Sequence, residues 1–410
     1  MLLKRLITVF TLSVFLLMTL ISCENNKVRV SHPTEENIPK RDEIVSAPSF
    51  KDLPDDTSIF SIKDIDELLD REPVGSIDEG NKAGLFSIKD VAIDSHGHIF
   101  ILPYQQKTIK VFSRKGSFIS DIGKEGRGPG EFLYPTAIDT DQKGNLYVLD
   151  RTEIDVFKYS ENQFTYSRPF EHGLSHIVDL CTFRESIFVS GYTVRRPDSA
   201  SGEERGGSVL NISNPIHQFN STNGKPLNTF GKIYQSNSQW PVFSGRLSDT
   251  KLACNESTDT IVGVFTNFPF VRGYQPDGKI KWTSVVDDYR YKPIIEEGMK
   301  AKASIRYPSS KEPFNEITHF TSTNKKYVFL QIENRIAMPN KKRSKLQEDL
   351  KKIHPQINTF LIDGDTGEMT KFSNNIGHIY VWKDNIKVIK TFDGSNNNFL
   401  NDGNEPVNIY

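Results

Sequence analysis

Short apolar runs, separated by polar turns rich in Gly, Asn and Asp, follow one another along most of this chain. The clearest unit reads Val91-Ala-Ile-Asp94, Ser95-His-Gly-His98, Ile99-Phe-Ile-Leu102 and Ile109-Lys-Val-Phe112. A second reads Thr136-Ala-Ile-Asp139, Asp141-Gln-Lys-Gly144-Asn145, Leu146-Tyr-Val-Leu149-Asp150 and Ile154-Asp-Val-Phe157. Asp94 to Asp139 is 45 residues, and so is Phe112 to Phe157. Apolar runs of this length, enriched in β-branched and aromatic residues, predict strands. The turn residues between them predict hairpins. A repeat in the forties with four strands per unit is the signature of a β-propeller.

Weaker copies of the last hairpin follow at Phe219–Lys225, Tyr274–Trp282 and Phe360–Met369. Five units are complete on this reading. The sixth is split, with Gly377–Trp382 and Ile386–Phe392 supplying two strands and the segment Ile59–Ile77 the rest. Joining both chain ends in one blade closes the ring and removes exposed sheet edges. The expected fold is therefore all-β: a six-bladed propeller of four-stranded antiparallel blades over residues 57–410.

The N-terminus has a different pattern. Lys4 and Arg5 precede an apolar stretch, Leu6–Ile21, that ends in Leu20-Ile21-Ser22-Cys23. This is the layout of a lipoprotein signal peptide, residues 1–23, with Cys23 as the lipidated residue. Residues 24–56 are polar and interrupted by Pro33, Pro39, Pro48 and Pro54, which predicts a flexible tether. The expected location is the outer membrane, facing the periplasm, with cell-surface display as the second orientation.

The run Ile122-Gly-Lys-Glu-Gly126-Arg127-Gly128-Pro129-Gly130-Glu131-Phe132, with Pro135, Gly144–Asp150 and Ile154–Phe157, resembles an NHL repeat. Together with the lipobox, the chain resembles the six-bladed propeller lipoproteins of Bacteroidetes. The strong match covers roughly residues 85–170. The resemblance implies architecture rather than chemistry.

Charge narrows the partners. Lys and Arg number 51 against 52 Asp and Glu, so no basic excess points to nucleic acid. Two cysteines remain after Cys23, and Cys181 and Cys254 read as buried free thiols within strands. The absence of a Cys-x-x-Cys pair argues against a thiolate zinc site.

In a propeller blade whose strands run outward from the axis, the first-to-second and third-to-fourth turns share one face. The remaining connections share the other. The long excursions, Tyr192–Ser208, Val286–Phe314 and Arg335–Gln356, all fall in the second class. Two look partly helical: Ser344-Lys-Leu-Gln347 reads as a capping box, and Pro293 opens a segment reaching Lys302. Insertions on one face of a repeat scaffold mark its binding face. Tyr104, Arg127, Glu131, Tyr134, Asp150, Arg151, Arg195, Tyr234 and Trp240 fall on that face and are the candidate ligand-binding residues. Arg, Tyr and Trp combine apolar area with directed hydrogen bonds.

No catalytic set stands out. His96 and His98 lie in a first-to-second turn, and Asp94 and Asp139 are expected to cap turns. The glycines at 126, 128 and 130 turn the chain between blades. No nucleophile elbow, zinc-protease helix or P-loop is present. The sequence thus favours a monomeric binding or scaffold lipoprotein that recognises a protein or glycan, with no cofactor. The alternative is a propeller enzyme, lactonase-like or lyase, with a metal such as calcium in the central channel.

Overall fold

A computed structural model describes residues 27–30, 75–77, 88–104, 106–161, 163–195, 211–233, 241–286, 289–290, 294–297, 302–304, 313–323, 325–336, 357–374, 377–383, 386–390 and 407–409. The protein is an all-β propeller. Six four-stranded antiparallel sheets form its blades.

Blade 1 comprises Ile88–Ile93, Ile99–Pro103, Ile109–Phe112 and Phe118–Ile122. Blade 2 comprises Ala137–Thr140, Leu146–Leu149, Glu153–Ser160 and Gln163–Glu171. Blade 3 uses His176–Phe183, Ser186–Tyr192, Ile216–Asn220 and Pro226–Phe230. Blade 4 uses Thr250–Asn255, Thr260–Phe265, Phe270–Tyr274 and Ile280–Val285. Blade 5 uses Pro313–Ser322, Tyr327–Ile336, Ile357–Asp363 and Met369–Asn374.

Blade 6 is shared between the chain ends, as expected, but the division differs. The C-terminal part gives three strands, His378–Lys383, Ile386–Lys390 and Val407–Ile409, and Gly75–Ile77 adds the outermost one. The additional strand at Val407–Ile409 was not read in the sequence, because it lies far from the preceding hairpin. Residues 59–74, expected to share in this blade, lie outside the described residues.

The core lies between blades. Phe157 packs with Leu146 and Val148 of its own blade and Phe100 and Val111 of blade 1. Phe219 joins Leu149 and Val156 of blade 2, and Tyr274 joins Phe188 and Phe230 of blade 3. Phe360 joins Val262 and Trp282 of blade 4, and Phe112 joins Val381 and Val388 of blade 6. The third strands of blades 1 to 5 thus turn their aromatics back toward the preceding blade. Burying one such side chain contributes roughly 1.5–3 kcal/mol. The period of the repeat follows from this packing, since each blade must present the same knob to its neighbour.

Four features depart from expectation. Cys181 and Cys254 form a disulfide that joins the first strands of blades 3 and 4, rather than standing as free thiols. Adjacent inner strands bring the two Cα atoms to 5.7 Å, within bridging range. Ile294–Glu297 and Lys302–Ser304 are strands, not the helix read from Pro293. Lys27–Val30, within the expected tether, pairs with Ile294–Glu297, so these four residues are ordered by an open strand edge. Finally, a short helix, Pro241–Leu247, leads into blade 4, with proline at its first position. The capping-box segment at residue 344 lies outside the described residues.

The disulfide closes a span of 73 residues, for which chain-entropy reasoning gives about 4 kcal/mol. Cys181→Ser with Cys254→Ser is expected to lower the denaturant midpoint correspondingly. Reductant should do the same to the parent protein and nothing further to the double variant. Equal midpoints for the oxidised parent and the double variant would contradict a stabilising bridge.

Candidate functional site

The first strand of every blade has one edge facing the axis with no strand beside it. Its backbone N–H groups need acceptors, since unpaired buried donors are costly. Aspartates supply them across the blade boundaries. Asp90 accepts from its neighbour Val91 N at 2.9 Å and from Ile138 N of blade 2 at 2.8 Å. Asp139 accepts from Thr140 N at 2.8 Å and from Thr182 N of blade 3 at 2.7 Å. Asp179 accepts from Leu180 N at 2.9 Å and from Leu252 N of blade 4 at 3.0 Å. From blade 5 to blade 6 the role passes to Gln331, which donates to Gly377 O at 2.8 Å and accepts from Ile379 N at 2.8 Å.

The three aspartates line a central cavity of about 320 Å³ together with Thr182, Lys251, Glu256 and Tyr380. Burial raises the Asp90 and Asp179 carboxyls above the ordinary aspartate range, and the Asp179 charge raises Asp90 further. Burial also lowers the Lys89 amine, which donates to Pro135 O at 2.7 Å. Toward the face carrying the tight turns, Gln142 hydrogen-bonds Glu256, which also accepts from Arg184 N at 3.0 Å.

Asp90 and Asp179 are not among the residues singled out from the sequence. The signal was present as one aspartate within three successive apolar first strands: Asp90, Asp139 and Asp179. Asp139 also corrects its expected role, since it bonds across to blade 3. The turn cap in blade 2 is Asp141, which accepts from Lys143 N and Asn145 N, both at 2.9 Å. The first strand of blade 2 is displaced by two residues relative to the sequence alignment.

Asp94, His96 and His98 come together with ligand atoms within 4.8 Å. Asp94 caps its turn through His96 N at 2.9 Å and His98 N at 2.8 Å, and His98 Nδ1 lies 2.7 Å from its carboxylate. The same arrangement recurs in blade 2, where Asn145 Nδ2 donates to Asp141 at 2.7 Å. An amide takes the place of the imidazole there, so the same carboxylate-centred turn forms in blade 2 without histidines.

The opposite face is the one with long connections. Residues 193–215, 231–249, 286–312, 337–356 and 391–406 all join strands on that side, whereas the other side carries only tight turns. Between blades 1 and 2 the glycine-rich run forms a compact loop. Phe132, fully buried, anchors it, with Phe132 N donating to Lys124 O at 2.7 Å. Glu131 accepts from Gly128 N at 2.9 Å and pairs with Lys124 at 3.1 Å. Any Cβ at Gly126 would strike the Glu131 carboxylate. Asp150 is buried and accepts from Leu133 N at 2.7 Å and from Tyr134 N.

The candidate residues therefore divide. Glu131 and Asp150 hold the loop. Tyr104 and Tyr134 are 65% and 67% exposed, and Arg127 and Arg151 are exposed as well. Arg195 is described in backbone only, and Tyr234 and Trp240 lie outside the described residues, as does Cys23.

A family model described as a six-bladed β-propeller, DUF5128, matches residues 81–222. The chain is similar in fold to a DUF4221 family member from Bacteroides vulgatus, at 10% identity and a TM-score of 0.51. That alignment covers 82% of this chain and 96% of the other. A putative exported protein from Bacteroides fragilis aligns at 11% identity and a TM-score of 0.47, covering 82% and 94%. A gluconolactonase from Xanthomonas campestris aligns at 9% identity and a TM-score of 0.43, covering 83% and 99%. No curated protein matches. At these identities the likeness concerns fold.

Beneath the loop-rich face, His172 is buried, with Leu174 N donating to Nδ1 at 3.0 Å and Nε2 lying 3.1 Å from Asp150 O. Only one proton, on Nε2, fits both contacts. Burial accordingly holds His172, and also His217, below the ordinary histidine value of 6.5. Their folded values lie below the unfolded one. The stability they permit is fully present above that value and lost as pH falls through it. Histidine NMR titrations should give midpoints below 6.5 for both. An ordinary midpoint for His172 would contradict the hydrogen-bond assignment.

Proposed function

We propose that this protein is a lipid-anchored binding or scaffold propeller of the cell envelope, which recognises a protein or glycan through its loop-rich face. The observation that carries this reading is the segregation of every long connection to one side. Tyr104, Arg127, Tyr134 and Arg151 project from that side, and among the described residues none has its side chain committed to a hydrogen bond. Aromatic and guanidinium groups of this kind dominate recognition surfaces, and tyrosine faces can stack on sugar rings.

The envelope location is supported by two independent features. Residues 1–23 have the layout of a lipoprotein export signal ending at Cys23. The Cys181–Cys254 bridge suits an oxidising compartment. On this reading the acyl chains hold the protein at the outer membrane, facing the periplasm, and the ring acts as a monomer with no cofactor in its central channel. The channel favours scaffold over catalysis, because its aspartates already accept the N–H groups that join the blades.

Cys23→Ser is expected to abolish acyl labelling and move the protein from the membrane to the soluble fraction. Retention on the membrane after this change would rule out lipid anchoring there. Tyr104→Ala with Tyr134→Ala is expected to weaken capture of the natural ligand from envelope extracts by about tenfold or more, without changing thermal stability. Unchanged capture, together with loss on altering Lys115 and Asp277 in turns of the opposite face, would place recognition on the wrong side of this proposal.

A further inference from the structure

The third strands share a spacing: Ile109-Lys110-Val111-Phe112, Ile154-Asp155-Val156-Phe157, Ile216-His217-Gln218-Phe219, Val271-Arg272-Gly273-Tyr274 and Ile357-Asn358-Thr359-Phe360. The second position is polar in each and is buried in blades 2 to 5. In blade 1, Lys110 ion-pairs at 2.8 Å with Asp121, its register partner on the fourth strand. In blade 3, His217 Nε2 lies 3.4 Å from Ser213 Oγ. In blade 4, the Arg272 guanidinium lies over the Phe265 ring at 5.2 Å.

Blade 2 breaks this rule. Asp155 is fully buried, neither carboxylate oxygen has a hydrogen bond of good geometry, and the Tyr166 hydroxyl is the one side-chain donor that approaches it among the described residues. Its register partner is Pro169, which has no charge to offer. The neighbouring charges are of the same sign: burial first, then Glu153 and Asp150, push the Asp155 carboxyl up to about 7. Glu153 is itself raised, by burial and then by Asp150 and Glu171. Asp155 and Glu153 point to one side of the strand, two residues apart. That side is the one on which Phe157 meets blade 1, with the Tyr166 hydroxyl beside Asp155. The glycine loop covers it, with Gly130 closing on Phe157 and Tyr166.

A buried carboxylate that meets further carboxylates and no cation among the described residues calls for positive charge from outside them. We propose that Asp155 and Glu153 form a site for a hard divalent cation of the calcium class, between blade 2 and the loop that follows blade 1. The donors are all oxygens, which suits calcium, an ion with flexible geometry and about six to eight oxygen ligands. The site is separate from the central channel and from the exposed rim, so it serves to fix the loop that presents Arg127 and Tyr134.

Thermal unfolding of the full mature chain in excess calcium and in chelator tests this. At a hundredfold excess over Kd, calcium should raise the Tm by roughly 3–4 °C. Asp155→Asn should abolish that rise, Glu153→Gln should reduce it, and calorimetric titration with calcium alone should give one site. The proposal is overturned if neither calcium nor magnesium moves the parent Tm, or if Asp155→Asn keeps the full rise. A parent Tm that responds to pH near 7 but to neither cation would mean that a proton alone neutralises Asp155. Should Asp155→Asn fail to fold, an undiminished calcium response in Glu153→Gln overturns the proposal.

Discussion

A ring of radial sheets has six inner edges, and each is a row of backbone donors turned toward the axis. Water in a narrow channel satisfies such groups incompletely, and no further strand can reach them. The aspartate that accepts one N–H from its own strand and one from the next blade answers both problems together. It satisfies the edge, and it fixes the height of each blade against its neighbour. Asp90, Asp139 and Asp179 do this across three consecutive boundaries, and Gln331 does it with an amide at a fourth. The cost is a concentration of like charge in a buried channel, visible in the raised carboxyls of Asp90 and Asp179.

The apolar contribution is arranged to the same rhythm. Aromatics on the third strands fill the wedge between blades, and an adjacent polar residue must be neutralised locally in each repeat. Where the fourth strand offers a partner, as Asp121 does for Lys110, the blade is self-sufficient. Where it offers Pro169, neutralisation must come from outside the strand pair. The unusual chemistry of blade 2 is thus a consequence of repeat divergence at one register position.

Much of the architecture was legible in the sequence because a propeller repeats its core. The 45-residue spacing of Phe112 and Phe157 is the spacing of two wedge-filling aromatics, and it exposed the blade period directly. The side on which the excursions lie followed from strand order alone. Less was legible where a contact joins residues distant in sequence. Cys181 and Cys254 are separated by 73 residues and meet only because adjacent first strands share the channel wall. Asp139 looked like a turn cap because it stands two residues from the true one, Asp141. Asp150 and Glu131 looked like surface groups, yet their oxygens are used by loop N–H donors. Composition identifies a polar residue, but only geometry shows whether its valences are already filled.

The divided sixth blade bears on how the protein matures. Gly75–Ile77 leaves the ribosome about 330 residues before its partner strand, Val407–Ile409. The ring therefore stays open through most of synthesis, and it locks only when the Val407–Ile409 strand has emerged. A product truncated before Val407 would lack that clasp and remain open to proteases, so the seam doubles as a check on completeness.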